Sequence, residues 1–357
     1  MNKIKLDNVN IGPAFPPYIV AEMSGNHNGD INNAFKIIDS AKNSGANAIK
    51  IQTYKADTIT LDSDLPDFQI NKGLWKGKNL YDLYDIASTP WEWHEELFNY
   101  AKKNNITIFS SPFDSTAVDL LENLNCPAYK IASFELIDLP LIKYVASTKK
   151  PIIMSTGMAN LDEIEEAVSV CRDVGSKEIA LLHCISAYPA DPSEYNLRTI
   201  PDLIKKFNVI VGLSDHTIGN TTAISSISLG ASIIEKHFTL NRQAGGPDDS
   251  FSSEPKEFES LCKSSVTAWN ALGKVNYNKT VNEKENIKFR RSLYFVKDIN
   301  KDQKITKEHV RSIRPGYGLE PKYINSIIGL KVSKNIKTGS PVKEENLIDF
   351  NKNKFKL

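Results

Sequence analysis
Short apolar runs alternate with amphipathic intervals along the first three quarters of the chain. The runs predict strands at Tyr18–Met23, Ala48–Tyr54, Ile106–Ser110, Tyr129–Ala132, Ile152–Ser155, Ile179–Cys184, Val209–Ser214 and Ile233–Phe238. The intervals predict helices at Ile31–Ser44, Trp91–Asn104, Leu161–Val174, Asn220–Leu229 and Pro255–Leu272. Strands that are apolar on both faces and separated by helices belong in a parallel sheet covered on both sides. Eight such units closing on themselves make an α/β fold of the (β/α)8 TIM barrel type. An open doubly wound sheet is the competing topology, but the first strand runs into E-M-S-G-N-H-N-G rather than a glycine-rich dinucleotide loop.

The alternation stops after Leu272. Residues 273–288 are polar and charged and read as a linker. A compact β-rich stretch, 289–350, follows, in which K-D-I-N-K-D-Q-K-I and K-N-I-K-T-G-S-P-V repeat one strand-turn-strand phrase. The expected organisation is a barrel over 1–272, the linker, and a small C-terminal domain of a size that is marginal alone and gains from docking. Two long insertions interrupt the barrel pattern, Lys55–Pro90 and the glycine-, serine- and aspartate-rich Thr239–Glu254. Loops of that length in a compact domain are functional or disordered as a rule.

At 357 residues the chain can bury a large core. The formal charge of +1 conceals an asymmetry: from Lys279 onward there are 19 Lys and Arg against 9 Asp and Glu, and before it 25 against 34. The basic tail lacks the interleaved aromatics or arginine run of a nucleic-acid binder, and it suits docking on an acidic body, its own or a partner's. Cys126, Cys171, Cys184 and Cys262 form no C-x-x-C pair, which is the usage of a reduced, cytoplasmic protein. No stretch reads as a signal peptide or a membrane span.

In a barrel, chemistry belongs at the C-terminal strand ends, and here those ends are polar. The first strand gives Glu22, Ser24, Asn26 and His27, the second Lys50, Gln52 and Tyr54, and the third Ser110 and Ser111. The fourth gives Lys130, Ser133 and Glu135, the fifth Ser155, and the sixth Ser186 and Tyr188. The seventh ends in Ser214, Asp215 and His216 and the eighth in His237. Two imidazoles at successive strand ends can share one cation and leave positions open for catalysis. Asp215 and Glu235 are at hand to orient the rings, and satisfied core histidines are the bland alternative. Lys50 and Lys130 among serine hydroxyls suit a phosphorylated or carboxylated anion. A Schiff-base lysine and a structural ion pair are the other uses of either lysine. In the second insertion, Asp248 or Asp249 is placed to reach substrate hydroxyls above the metal.

The segments E-M-S-G-N-H-N-G, K-I-Q-T-Y, S-S-P-F, Y-K-I-A-S-F-E, S-T-G-M, H-C-x-x-x-Y-P, G-L-S-D-H, E-K-H-F, G-G-P-D and R-P-G-Y-G occur in this order over essentially the whole chain. In this the chain resembles the sialic acid synthase family, a barrel followed by an antifreeze-like (SAF) domain. G-L-W, L-Y-D-L-Y and T-P-W-E-W-H, between Gly73 and His94, are similar to the pseudaminic branch of that family. The resemblance implies condensation of phosphoenolpyruvate with an N-acetylated amino sugar, giving a nine-carbon 2-keto acid and phosphate. For the pseudaminic branch the sugar is 2,4-diacetamido-2,4,6-trideoxy-altrose, and the product serves surface glycans or flagellin glycosylation. N-acetylneuraminate and legionaminic acid synthesis are the alternatives within the family.

The resemblance further implies phosphoenolpyruvate contacts at Lys50, Ser111, Lys130, Ser133, Ser155 and Ser214, with Ser186 where the sialic acid enzymes have an asparagine contact. Ser111 stands in place of their threonine. It implies metal ligation by His216 and His237, sugar contacts from Glu22, Tyr188 and Asp248, and Glu135 beside the reacting carbons. Arg314 matches an arginine that the SAF domain of one subunit extends over the barrel of another, which implies a domain-swapped homodimer. Imidazole ligation favours manganese, with cobalt or magnesium as alternatives. Leu61–Leu80 does not align with the sugar-binding asparagine of the sialic acid enzymes, and a different sugar is read there. Outside the family, a Schiff-base aldolase would need neither metal nor phosphate release. An ice- or glycan-binding protein on an inactive barrel would have no use for the full set of polar strand ends.

Overall fold
The structure, a computed structural model, describes residues 3–352, and the chain divides into two units, the first ending at Gly273 and the second beginning at Lys274. A closed parallel barrel organises the first unit. Its strands are β3 Tyr18–Glu22, β4 Ala48–Thr53, β5 Thr107–Pro112, β6 Tyr129–Ile131, β7 Ile152–Ser155, β8 Ile179–Cys184, β9 Ile210–Asp215 and β10 Ile233–His237, with β10 paired to both β9 and β3. Each predicted strand is present to within two residues at either end. The barrel rather than the open sheet is therefore the fold. The strands are buried on both faces, inward in the barrel and outward beneath the helices, as continuous apolar runs require.

The covering helices follow from amphipathic spacing and caps. Helix Ile31–Asn43 starts at Asp30, whose side chain accepts from the Asn32 N–H, and it buries Ala34, Ile37, Ile38 and Ala41. Helix Leu161–Asp173 opens on a capping box of Asn160 with Glu163 and buries Ile164, Ala167, Val168 and Cys171. Ser115–Asn123, Leu139–Ser147 and Thr199–Phe207 are also helices, each of nine residues and too short for the periodic pattern to stand out.

A hairpin that the pattern did not predict precedes the barrel, β1 Ile4–Leu6 and β2 Val9–Ile11. It buries Ile4, Leu6 and Ile11 in the barrel core. The Lys5 N–H donates to Glu178 Oε1 at 2.9 Å, and Thr107 Oγ1 donates to Asp7 Oδ2 at 2.6 Å. Glu178 and Thr107 lie where β8 and β5 begin, so the hairpin closes the N-terminal end of the barrel and leaves the C-terminal mouth open.

The second unit packs Leu293, Phe295, Ile299, Val310 and Val342 around an antiparallel pair, β11 Ser292–Phe295 and β12 Val310–Ile313. The two repeated phrases pair with each other, Ile299 and Ile336 exchanging backbone hydrogen bonds at 3.0 and 2.9 Å. The stretch read as a linker carries a short helix, Val281–Asn286, whose capping box of Thr280 with Glu283 is visible in the sequence. Among the described residues no helix is long and apolar enough to cross a membrane.

Candidate active site
Side chains alternate along a strand, so at each strand end one parity faces into the barrel mouth. Glu22, Lys50, Gln52, Lys130, Ser155, Cys184, Ser214, His216, Glu235 and His237 all turn inward and line one cavity of about 390 Å³, joined by Ser133, Glu135, Tyr188 and Asp248 from the following loops.

The floor is a buried ion network. Lys50 Nζ lies 3.2 Å from Glu22 Oε2 and 3.1 Å from Glu235 Oε1, and Lys130 Nζ lies 3.4 Å from the same Glu235 oxygen. Burial pushes the Glu235 carboxyl up, but Lys130 and Lys50 outweigh it and hold the group down at about 2. Burial likewise opposes the Lys50 charge, and Glu22 and Glu235 overcome it. Lys130 is drawn down by burial, which Glu235 only partly offsets, and burial raises Glu22 to about 7 despite Lys50. Glu235 is thus the fixed anion of the floor and Lys50 its fixed cation.

Around this floor, the hydroxyls of Ser111, Ser155 and Ser186 are buried with no hydrogen-bond partner in the protein. An unmade buried hydrogen bond costs about 1–3 kcal/mol, so three together mark a place for a ligand's oxygens. Ser155 lines the cavity, Ser111 adjoins Gln52 across β4 and β5, and Ser186 adjoins the loop after β7. A Cβ on Gly157 in that loop would sit 2.2 Å from Ser186 Oγ and 2.6 Å from Ser133 Oγ, so glycine alone lets the backbone enter between them. Ser214 Oγ is committed, donating to Glu235 Oε1 at 3.3 Å.

His216 and His237 face each other with ring centroids 5.4 Å apart. His216 Nδ1 lies 2.8 Å from the Ile185 carbonyl. A carbonyl only accepts, so that nitrogen carries the proton and Nε2 keeps its lone pair. His237 Nδ1 is buried without a partner, and burial holds its imidazole well below the usual range, in the neutral form that ligates metals. Burial pulls His216 the same way, but the negative charge of the Cys184 sulfur in its thiolate form outweighs it and raises the group, so a proton competes with a cation there. The pair fits a divalent ion. Among the described residues no cluster of three or more His, Cys, Asp or Glu could hold one.

The carboxylates expected to orient the rings do other work. The pleat turns Asp215 outward, where it accepts from Lys236 Nζ at 2.7 Å and from Thr217. Glu235 faces inward but holds the lysines. His216 is held instead by the Ile185 carbonyl and by Tyr188, stacked 4.4 Å away. The Tyr195 hydroxyl accepts from the His216 N–H at 2.8 Å and donates to the Ser214 carbonyl at 3.1 Å, pinning the end of β9.

The second insertion separates its two aspartates. Asp248 lines the cavity and accepts from Ser24 Oγ, with burial raising its carboxyl. Asp249 is spent on its own loop, accepting from the Gly246 N–H at 2.7 Å, Asn28 Nδ2 at 3.1 Å and Thr239. Glu135 Oε2 is buried without a partner, and burial raises this carboxyl to about 7. Arg314 is exposed on the second unit, one residue past β12. Glu235 holds the lysines although its parity with His237 is visible in the sequence, and Trp75, Leu83 and Tyr84, which lie in the G-L-W and L-Y-D-L-Y segments, also line the cavity although those segments attach no role to them singly.

The sequence model of the NeuB family matches residues 37–277, and that of the SAF domain matches residues 290–348. The chain belongs to the NeuB family. A pseudaminic acid synthase from Helicobacter pylori is 46% identical over 334 residues, covering 93% of this chain and 98% of that relative. An N,N'-diacetyllegionaminic acid synthase from Campylobacter jejuni is 38% identical, covering 91% of this chain and 98% of that one. The crystal structure of N-acetylneuraminic acid synthetase from Leptospira borgpetersenii superposes with a TM-score of 0.72 at 32% identity, covering 80% of this chain and 95% of that one. NeuB membership takes the place of the Schiff-base aldolase and non-catalytic readings.

Proposed function
We propose that this protein condenses phosphoenolpyruvate with 2,4-diacetamido-2,4,6-trideoxy-altrose to give pseudaminic acid and phosphate. The observation that carries this reading is the juxtaposition, in one buried cavity, of two lysine side chains and unpartnered serine hydroxyls with two imidazoles whose rings lie 5.4 Å apart. The high identity to the Helicobacter pylori synthase supports the choice of sugar.

In this reading Lys50 and Lys130 hold the phosphate and carboxylate of phosphoenolpyruvate, with hydrogen bonds from Ser111, Ser133, Ser155 and Ser186, while Ser214 steadies Glu235. Glu22, Tyr188 and Asp248 hold the sugar. His216 and His237 would hold a divalent cation, manganese in preference to magnesium because imidazole suits a transition ion, and it supplies Lewis-acid polarisation of the sugar aldehyde. C3 of phosphoenolpyruvate bonds to the aldehyde carbon as the C2–C3 and carbonyl π bonds break, leaving C2 electron-poor and the former aldehyde oxygen negatively charged. Glu135 takes a proton from the water that adds to C2 and passes it to that oxygen. The resulting hemiketal phosphate breaks its C2–O bond as its C2 hydroxyl gives up its proton to the departing phosphate and becomes the ketone, and the phosphate's charge is neutralised by Lys50 and Lys130. Arg314 reaches the cavity of a partner subunit in a domain-swapped homodimer. Four unpaired, buried cysteines accord with a cytoplasmic setting.

The test is phosphate release with manganese present, offering the altro sugar, its gluco-configured counterpart and N-acetylmannosamine side by side. Turnover of the altro sugar, abolished by chelator, is expected. Preference for N-acetylmannosamine would move the chain to the sialic branch, and turnover of the gluco sugar in place of the altro one would overturn the choice of sugar.

A further inference from the structure
One side of the cavity differs in kind from the floor. Ile59, Ile70, Trp75, Leu80, Leu83 and Ala87 line it, all from the Lys55–Pro90 insertion. That insertion is rich in aspartate and lysine, yet none of those side chains beyond its first turn or within it lines the cavity. The segregation is built in by helical spacing: within Leu80–Ala87, positions 80, 83, 84 and 87 share one face, while Asp82 and Asp85 are exposed on the other. The Trp75 indole N–H is spent on the Pro247 carbonyl at 2.9 Å, which ties the two insertions together across the mouth. The Tyr84 hydroxyl remains as the wall's side-chain donor.

A hydroxyl pressed against the isoleucine and leucine side chains of such a surface gives up its water and gains no partner from them, whereas a methyl group gains burial. We propose that this wall is the specificity surface for the end of the sugar remote from the aldehyde, selecting a C6 methyl over a C6 hydroxymethyl. The proposal rests on the synthase reading above and adds the residues that choose among its sugars. Lys50, Lys130 and the imidazoles act on phosphoenolpyruvate and the aldehyde, which every sugar of this class carries. The wall meets C6, where a deoxy sugar differs from its hydroxylated counterpart.

The experiment uses the full-length protein with manganese and phosphoenolpyruvate. It compares 2,4-diacetamido-2,4,6-trideoxy-altrose with the otherwise identical sugar bearing a C6 hydroxyl. A kcat/KM preference for the deoxy sugar of about 10- to 100-fold is expected, the range an apolar pocket achieves against an added hydroxyl. Ile70→Asn and Leu80→Gln, both at half-buried positions that tolerate a polar side chain, should each narrow the ratio roughly tenfold, losing deoxy turnover and gaining turnover of the hydroxylated sugar. Leu74→Asn, on the exposed outer side of the same insertion, should leave the ratio unchanged. A wild-type ratio within about twofold of unity, or a ratio that neither cavity-facing variant moves while both keep the parental Tm, overturns the proposal. Absence of phosphate release with either sugar sinks the synthase reading itself, and the wall's assignment falls with it.

Discussion
The floor and the wall of the cavity are built from opposite chemistry on opposite scaffolds. The floor sets Glu22, Lys50, Lys130 and Glu235 on strands of a closed barrel, each strand hydrogen-bonded to a neighbour on both sides. The wall sets leucines, isoleucines and a tryptophan on an insertion held by two short α-helices, Ala56–Ile59 and Leu80–Ala87, an isolated bridge between Gln69 and Asn79, and the Trp75 tether. The difference follows from what each must do. Charge-charge and hydrogen-bond chemistry is steep in distance and needs a backbone that does not yield. Apolar exclusion is non-directional and works from a loop.

The comparison breaks first if the floor can lose a charge cheaply. Lys50→Met leaves Glu22 and Glu235 facing each other without their shared cation, and kcat/KM should fall on the order of 10³-fold, mostly in kcat. A fall of less than tenfold in a folded variant would remove the floor from the chemistry. Steady-state phosphate release measures this, with circular dichroism as the check on folding.

A smaller effect sharpens the role of Glu135. Its carboxyl, raised to about 7 by burial, is protonated and unable to accept a proton at lower pH and is charged above it. The kcat/KM profile should therefore rise with pH through about 7 and level off. Glu135→Gln should cost about 10²-fold and flatten that limb. Glu22, also raised to about 7, is the rival source of the limb, so the limb's survival in Glu135→Gln and loss in Glu22→Gln would transfer the role.

The smallest effect belongs to the wall. Burial, followed by the negative field of Glu135, keeps the Tyr84 hydroxyl un-ionised. Tyr84→Phe removes one neutral donor and should raise KM for the sugar by roughly two- to tenfold with kcat unchanged. A large loss in kcat would mean that the wall takes part in the reaction after all.

Much of this was legible before any coordinates. The strand runs mark the barrel to within two residues, because a strand buried on both faces is apolar along its whole length wherever it sits. The polar residues at their C-terminal ends mark the mouth, and Lys50, Lys130, His216 and His237 do converge there. The N-terminal hairpin stayed hidden because strands of three residues give no periodic signal.

Pairings between distant residues belong to the tertiary structure. Asp215 adjoins His216 in sequence but bonds Lys236 on the next strand, and Glu235 adjoins Lys236 but serves Lys50 and Lys130. Asp248 and Asp249 are alike and adjacent, and only the closure of their loop on Asn28 and Thr239 sends one to the cavity and the other away. The amino-acid order determines which residues stand at strand ends, since that depends on local alternation. Which of them meet depends on barrel closure and strand register, which bring together groups far apart along the chain.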